Sequence, residues 1–323
     1  AKKWTEKLEP VKTFKGNHDI GFMMYCSFGN AYRLTQNEKY KDILIQSAYS
    51  LATRFNPQVG TIKSWDSWRS WENKHVFKYP VIIDNMMNLE LLFWASKATG
   101  DPSFRNIAIS HAEKTMKYQI RKDGSSYHPA CYDPETGNFI KGETSQGYSN
   151  ESTWSRGQGW GIYGFTLCYR ETKDPRFLKT AQRMADYYIN HPNLPSDKIP
   201  WWDFDTHRPG FIPGKFSKTN KYIQNYRDAS AASVTASALL ELSSYVKDDK
   251  KKIYTETALQ ILTSLSSPEY RAEEGKNGNF ILKHSTGAIP HGSEVDVPLI
   301  YADYYFLEAL LRYNRMINNK PIL

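Results

Sequence analysis

The pattern of apolar and polar positions along the chain reads as a succession of helices. Apolar residues recur at helical spacing over 20–34, 38–54, 79–94, 103–121, 153–171, 175–190, 228–246, 249–267 and 299–317. Two junctions share one punctuation, Gly100-Asp101-Pro102 and Lys173-Asp174-Pro175. There one helix stops, Asp caps the next, and Pro takes its first turn, where a missing N–H costs nothing. Asn17 or Asp19 is the corresponding cap for the first helix. An inner helix, a short turn, an outer helix and a long loop recur with a period of roughly 60–75 residues, longer than the common solenoid repeats. The long loops gather at one end, where the helices of Asp19 and Asp84 begin. The closure this predicts is all-α: an (α/α) toroid with its site at the long-loop end. Nine helices leave the last without a partner, and a six-pair ring needs twelve. About three are therefore expected in a segment before Ala1. No linker divides the rest, so 1–323 is expected to form a single catalytic domain.

The stretch from Tyr79 to Trp94 organises the others. It is apolar nearly all round, which predicts an inner helix opened by Pro80. One carboxylate, Asp84, interrupts it, with Val81, Met87 and Asn88 as its helical neighbours. Desolvation there would make Asp84 hold its proton more tightly than in water, as a general acid working near neutral pH must. A buried Asp that caps the first turn or pairs with an Arg fits the same spacing.

Composition narrows the choices. At 323 residues and 37.3 kDa, with 40% hydrophobic and 24% charged residues, this is globular material with ample core. No apolar run approaches the ~20 residues of a membrane span, and no membrane partner is expected. The net charge of +8 is scattered in short lysine runs such as Lys250-Lys251-Lys252, without the stripe of a nucleic-acid binder. It favours an anionic substrate on approach. Cys26, Cys131 and Cys168 form no CxxC pair, and Cys26 and Cys168 read as buried thiols. No zinc spacing, phosphate-cradling loop or Gly-x-Ser-x-Gly elbow is present, so neither metal nor cofactor is expected. Nine Trp and 22 Tyr, many in polar loops around Trp65, Trp68, Trp71, Trp154, Trp160, Trp201 and Trp202, suit stacking against the apolar C–H faces of sugar rings.

Asp19 and Asp84 both open inner helices, which places two carboxylates on one rim, the tools of glycoside hydrolysis. Arg156 and Trp160 share a helix face (i, i+4), so a charged fork and a ring can meet one ligand. The glycines at 157, 159, 161 and 164 permit close backbone approach to a ligand, or equally tight helix packing. His128 alone reads as a loop histidine or a polar ligand contact.

Together these stretches resemble a known family. His18-Asp19-Ile20-Gly21-Phe22, Ile83-Asp84-Asn85-Met86-Met87-Asn88-Leu89 and Asp123-Gly124-Ser125-Ser126-Tyr127-His128 are similar to motifs of the unsaturated glucuronyl hydrolases, glycoside hydrolase family 88. So are Thr144-Ser145-Gln146-Gly147, the run from Thr153 to Gly164, Trp202-Asp203-Phe204-Asp205, Tyr226-Arg227-Asp228 and Ala302-Asp303-Tyr304-Tyr305. The Arg156-Gly157-Gln158 form favours this family over its unsaturated rhamnogalacturonyl relatives.

The resemblance implies an (α/α)6 barrel lacking its N-terminal helices in this chain. It implies Asp84 as general acid and base, and Asp19 as the residue that binds and orients the sugar. His128, Gln146, Arg156 and Trp160 would line the subsite of an unsaturated uronate, Trp65 would stack on that sugar or the next, and Ser293 would meet the second sugar. The implied partner is an unsaturated uronate di- or oligosaccharide, acted on by a monomer or homodimer in the periplasm or cytoplasm of a bacterium. A rhamnogalacturonyl hydrolase and a non-catalytic toroidal sugar-binding protein are the alternatives. The loop from Thr206 to Gln224 is longer than the family pattern and bears on binding beyond the cleaved bond.

Overall fold

The computed structural model describes residues 1–322. Its contacts gather into two compact units.

The first unit comprises 1–69, 75–119 and 129–142. Its helices are α1 (Lys2–Glu6), α2 (Ile20–Met24), α3 (Asn30–Thr35), α4 (Glu38–Ala52), α5 (Leu89–Thr99) and α6 (Pro102–Tyr118). Helices α2, α4 and α5 pack on one another, and α5 packs on α6. Short antiparallel strands join them: β1 (Phe55–Asn56) with β2 (Thr61–Ile62), and β3 (Trp68–Arg69) with β4 (Val76–Phe77). A three-stranded sheet follows in the order β5 (Tyr79–Ile82), β6 (Pro129–Tyr132), β7 (Phe139–Gly142).

Three expectations change here. The helix expected over 79–94 is three elements: strand β5, a 3₁₀ helix Ile83–Asn88, and α5. Val81-Ile82-Ile83 is a β-branched run that favours extended backbone, and Pro80 is tolerated because β5 is an edge strand. Asp84 therefore sits in the first turn after a strand. The stretch between the helices read at 103–121 and 153–171, where no element was predicted, contributes β6 and β7, joined by a turn in which Asp133 Oδ1 accepts from the N–H of Glu135 and Thr136. The first helix is interrupted by a π-helical turn, Tyr25–Gly29, between α2 and α3. Cys26 lies in that turn and is half-buried rather than core; Cys131 and Cys168 are buried.

The second unit comprises 70–74, 120–128 and the chain from Glu143 onward. Its helices are α7 (Ser155–Thr172), α8 (Pro175–Asn190), α9 (Ala229–Ser243), α10 (Asp248–Ser266) and α11 (Ile300–Ile317). Helix α9 is buried on every side, packed against α7, α10 and α11. Its Ala- and Ser-rich sequence keeps it thin, and Gly159 of α7 lets it come close: a Cβ there would stand 2.7 Å from Val234. The caps predicted at Asp101 and Asp174 form, accepting from the backbone N–H of Ser103 and Arg176, and Asp228 caps α9 in the same way through the N–H of Ser230.

One histidine ties pH to the first unit. His111 on α6 is fully buried, and its Nδ1 accepts the N–H of Ile62 at 3.0 Å. Burial, then the nearby charge of His18, lowers its pKa to about 3. Its folded value lies below the unfolded one, so stability is complete above pH ~6.5 and falls as pH drops toward 3. His111 should contribute up to about 1.4 kcal/mol per pH unit in that window. His111→Gln should flatten the acid limb of a stability–pH curve measured by urea unfolding; an unchanged slope would contradict this.

Candidate active site

In the first unit the two predicted carboxylates stand on adjoining elements, since α2 packs on the 3₁₀ helix of Asp84. Asp19 is the residue before α2, but its side chain makes no capping bond. Asn17 does not cap α2 either: its Oδ1 accepts from the N–H of Asp19 itself, one residue before the helix, at 2.9 Å. The Asp19 carboxylate is left half-exposed, with Oδ1 2.9 Å from Nε2 of the fully buried His18. Burial works to raise its pKa, but the charges of His18 and Arg54 outweigh it and hold the carboxyl below its ordinary value. Asp84 is half-buried, its Oδ1 shut off from solvent, between the fully buried Ile83 and Asn85.

The surrounding backbone is braced. Asn85 Nδ2 donates to Ile62 O at 2.7 Å, and Ser64 Oγ accepts from Ile82 N–H at 2.9 Å. Buried Arg54 donates to the carbonyls of Lys15, Lys63 and Ser64, holding the segments that lead into His18 and Trp65. Trp65 is half-buried and tilts against buried Trp68, ring centroids 6.0 Å apart.

In the second unit His128, Gln146 and Arg156 converge. His128 Nδ1 accepts from the N–H of Ser145 and Gln146 at 3.2 and 3.1 Å, so Nδ1 is unprotonated and the neutral ring carries its hydrogen on Nε2. Gln146 Nε2 and Arg156 Nη2 both donate to Gly287 O, at 3.1 and 2.7 Å. The buried Arg156 fork also reaches Asp228 Oδ2 at 2.9 Å and Thr286 O at 2.6 Å, and lies over the rings of Trp154 and Tyr301. Trp160 meets Tyr301 and Tyr305 edge-on, so Arg156 and Trp160 share a helix face through Tyr301. Ser293 is exposed, paired through its backbone with Ala288. Next to it, His291 Nε2 lies 3.1 Å from Ser145 Oγ, and Lys218 donates to His291 O.

The tryptophans are less open than their polar neighbours suggest. Trp154, Trp160 and Trp202 are buried, and Trp71 spends its N–H on Ser145 O. Asp203 and Asp205, within a predicted motif, brace the segment that carries Gln146. Asp203 takes hydrogen bonds from Tyr148 N and Ser152 Oγ, and Asp205 takes one from Thr153 N. Burial and the charge of Asp205 push Asp203 up to about 7. Among the described residues, no group of three or more His, Cys, Asp or Glu is arranged to hold a metal ion.

Residues 2–170, more than half of the chain and including both carboxylates, match the model of Glycosyl Hydrolase Family 88. The chain belongs to this family. It is 44% identical to an unsaturated glucuronyl hydrolase of Formosa agariphila, over 98% of this chain and 74% of that one. It is 34% identical to an unsaturated chondroitin disaccharide hydrolase of Streptococcus pyogenes, over 92% and 70%. A solved unsaturated glucuronyl hydrolase specific for heparin superposes with TM-score 0.89 at 48% identity, over 99% of this chain and 80% of that one. The fold is thus the mostly helical (α/α)6 class of these hydrolases, and the chain is a glycoside hydrolase. Among the described residues no helix is long and apolar enough to cross a membrane.

Sequence reasoning missed three residues that support the side chains described above. His18 lies under Asp19 and Arg54 behind it, and neither stands out from periodicity because each acts through the fold. Asp228 entered only within a motif of the resemblance, although its Oδ1 caps α9 and its Oδ2 pairs with Arg156.

Proposed function

We propose that this hydrolase removes the 4,5-unsaturated uronate from the non-reducing end of lyase-generated glycosaminoglycan oligosaccharides. The observation that carries the reading is the pair of carboxylates, Asp19 half-exposed against His18 and Asp84 half-buried, on packed elements of a family-88 chain. Its relatives bear the names of glucuronyl and chondroitin disaccharide hydrolases.

The substrate dictates the chemistry. The C4=C5 bond and the ring oxygen form a vinyl ether, which takes a proton at C4 more readily than a nucleophile at the anomeric carbon. Asp84 gives its proton to C4, and positive charge develops on C5 and the ring oxygen. Water adds at C5 while Asp84 takes back one of its protons. The hemiketal then opens to a C5 ketone; C1, now a hemiacetal, expels the second sugar as an alcohol and becomes an aldehyde. One carboxyl serving as acid and then base suffices, so the rule linking carboxylate separation to stereochemistry does not apply.

In this reading Asp19 orients the sugar and its charge favours the cation. His128, Gln146, Arg156, Trp160 and Trp65 act as uronate-binding residues, and Ser293 meets the second sugar. Arg156 also holds Gly287 and Asp228 in place through its fork. Residues 1–323 act as one catalytic domain, as a monomer or homodimer in the bacterial periplasm or cytoplasm.

A panel of unsaturated disaccharides from heparin, chondroitin and rhamnogalacturonan lyases, each with defined sulfation, tests the substrate class. Glycosaminoglycan products should be turned over and the rhamnogalacturonan product not; the reverse order would reassign the enzyme.

A further inference from the structure

We infer that Asn88 is a positioning residue that pins the turn of Asp84 against the helix of Asp19, so that the two carboxylates keep one fixed separation. The inference rests on the roles given above to those two groups. Asn88 closes the 3₁₀ helix that holds Asp84, and it is only 1% exposed. Its Oδ1 accepts the N–H of Phe22, in the first turn of α2, at 2.6 Å across 66 residues of sequence. Early helical N–H groups have no intrahelical partner, so a side chain from another element here works as a cap supplied in trans.

The opposing surface is shaped to receive it. A Cβ on Gly21 would stand 2.8 Å from both Cβ and Oδ1 of Asn88 and 2.9 Å from its carbonyl oxygen. The backbone of α2 thus touches Asn88 with no side chain between them. Two residues before Gly21 lies Asp19, and four before Asn88 lies Asp84. A shift at this seam must move one carboxylate relative to the other. The Nδ2 atom of Asn88 is buried without a hydrogen-bond partner. Pairing is therefore supplied on the Oδ1 side, where it locks the two elements.

The test is steady-state kinetics of Asn88→Ala and Asn88→Asp on an unsaturated disaccharide, well below the melting temperature of each variant. For Asn88→Ala, kcat should fall on the order of 10²-fold while KM stays within about three-fold, since misplacement of about 1 Å costs that much. Asn88→Asp keeps an acceptor of the same reach and should retain about ten-fold more kcat than the alanine variant. A folded Asn88→Ala with wild-type kcat, a loss confined to KM, or equal losses in the two variants would overturn the inference. Should Asn88→Ala not fold, Gly21→Ala presses the same seam from the other side; the same kcat loss is expected, and wild-type kcat would overturn the inference. An active Asp84→Asn sinks the parent reading, whereas an inactive Asp84→Asn beside an unimpaired Asn88→Ala sinks this inference alone.

Discussion

Asp84→Asn should lower turnover of an unsaturated disaccharide by about 10²–10⁴-fold, the range that general acid–base catalysis contributes. The amide matches the carboxyl in size, so the braced turn around it should stay folded. Asn85 still reaches Ile62, and Ser64 still holds Ile82. What disappears is both the proton delivered to C4 and the base that activates water, because one group does both jobs. The loss should therefore fall in kcat, with KM little changed. Asp19→Asn should fall less far, since an amide can still orient a hydroxyl although its charge is gone. Both are followed as disappearance of the double-bond absorbance. Turnover of Asp84→Asn within about three-fold of wild type would remove Asp84 from the chemistry.

Glu241→Gln should cost about 3–5 kcal/mol of stability, the scale seen when one member of a buried ion pair is removed. Glu241 on α9 is buried between two arginines: Arg170 of α7 reaches both of its oxygens at 3.0 Å, and Arg312 of α11 stands 3.1 Å away. Tyr245 donates to it as well. Burial opposes its charge, yet the two arginines outweigh burial and keep its pKa below the ordinary value. Glutamine halves the acceptor capacity and leaves Arg312, itself 1% exposed, with Glu308 at 3.4 Å as its remaining carboxylate. Urea unfolding measures the loss. Glu256→Gln is the control: its pair with Lys252 is exposed at 4.0 Å, so it should change stability by less than about 0.5 kcal/mol. Equal effects in the two variants would show that burial of the network contributes nothing.

The helical frame was readable because its signals are local. Asp101-Pro102 and Asp174-Pro175 start helices for reasons contained in three or four residues. The strand β5 was misread for a related reason: an apolar run of sixteen residues looks the same whether its first four are strand or helix, and pairing with Pro129–Tyr132 settles the matter. That partner lies some fifty residues away, beyond any periodicity. Asp84 was found because a lone acid in an apolar run is conspicuous, and Asp19 because it stands where an apolar helix opens. Their supports were not, since His18, Arg54 and Asn88 matter only through contacts that the fold creates. Burial of the tryptophans was hidden in the same way: Trp154 and Trp160 lie among polar neighbours in sequence but against Arg156, Tyr301 and Tyr305 in space.

The central claim is that bond breaking begins by protonating the C4=C5 vinyl ether, and a matched pair of substrates tests it most directly. Release of the second sugar is measured from an unsaturated disaccharide and from its saturated counterpart, identical except for that double bond. The unsaturated compound should be cleaved with one double bond lost per sugar released, and the saturated one should remain intact at the same enzyme concentration. Cleavage of the saturated disaccharide at a comparable rate would contradict the account, since that compound can react only at its anomeric carbon.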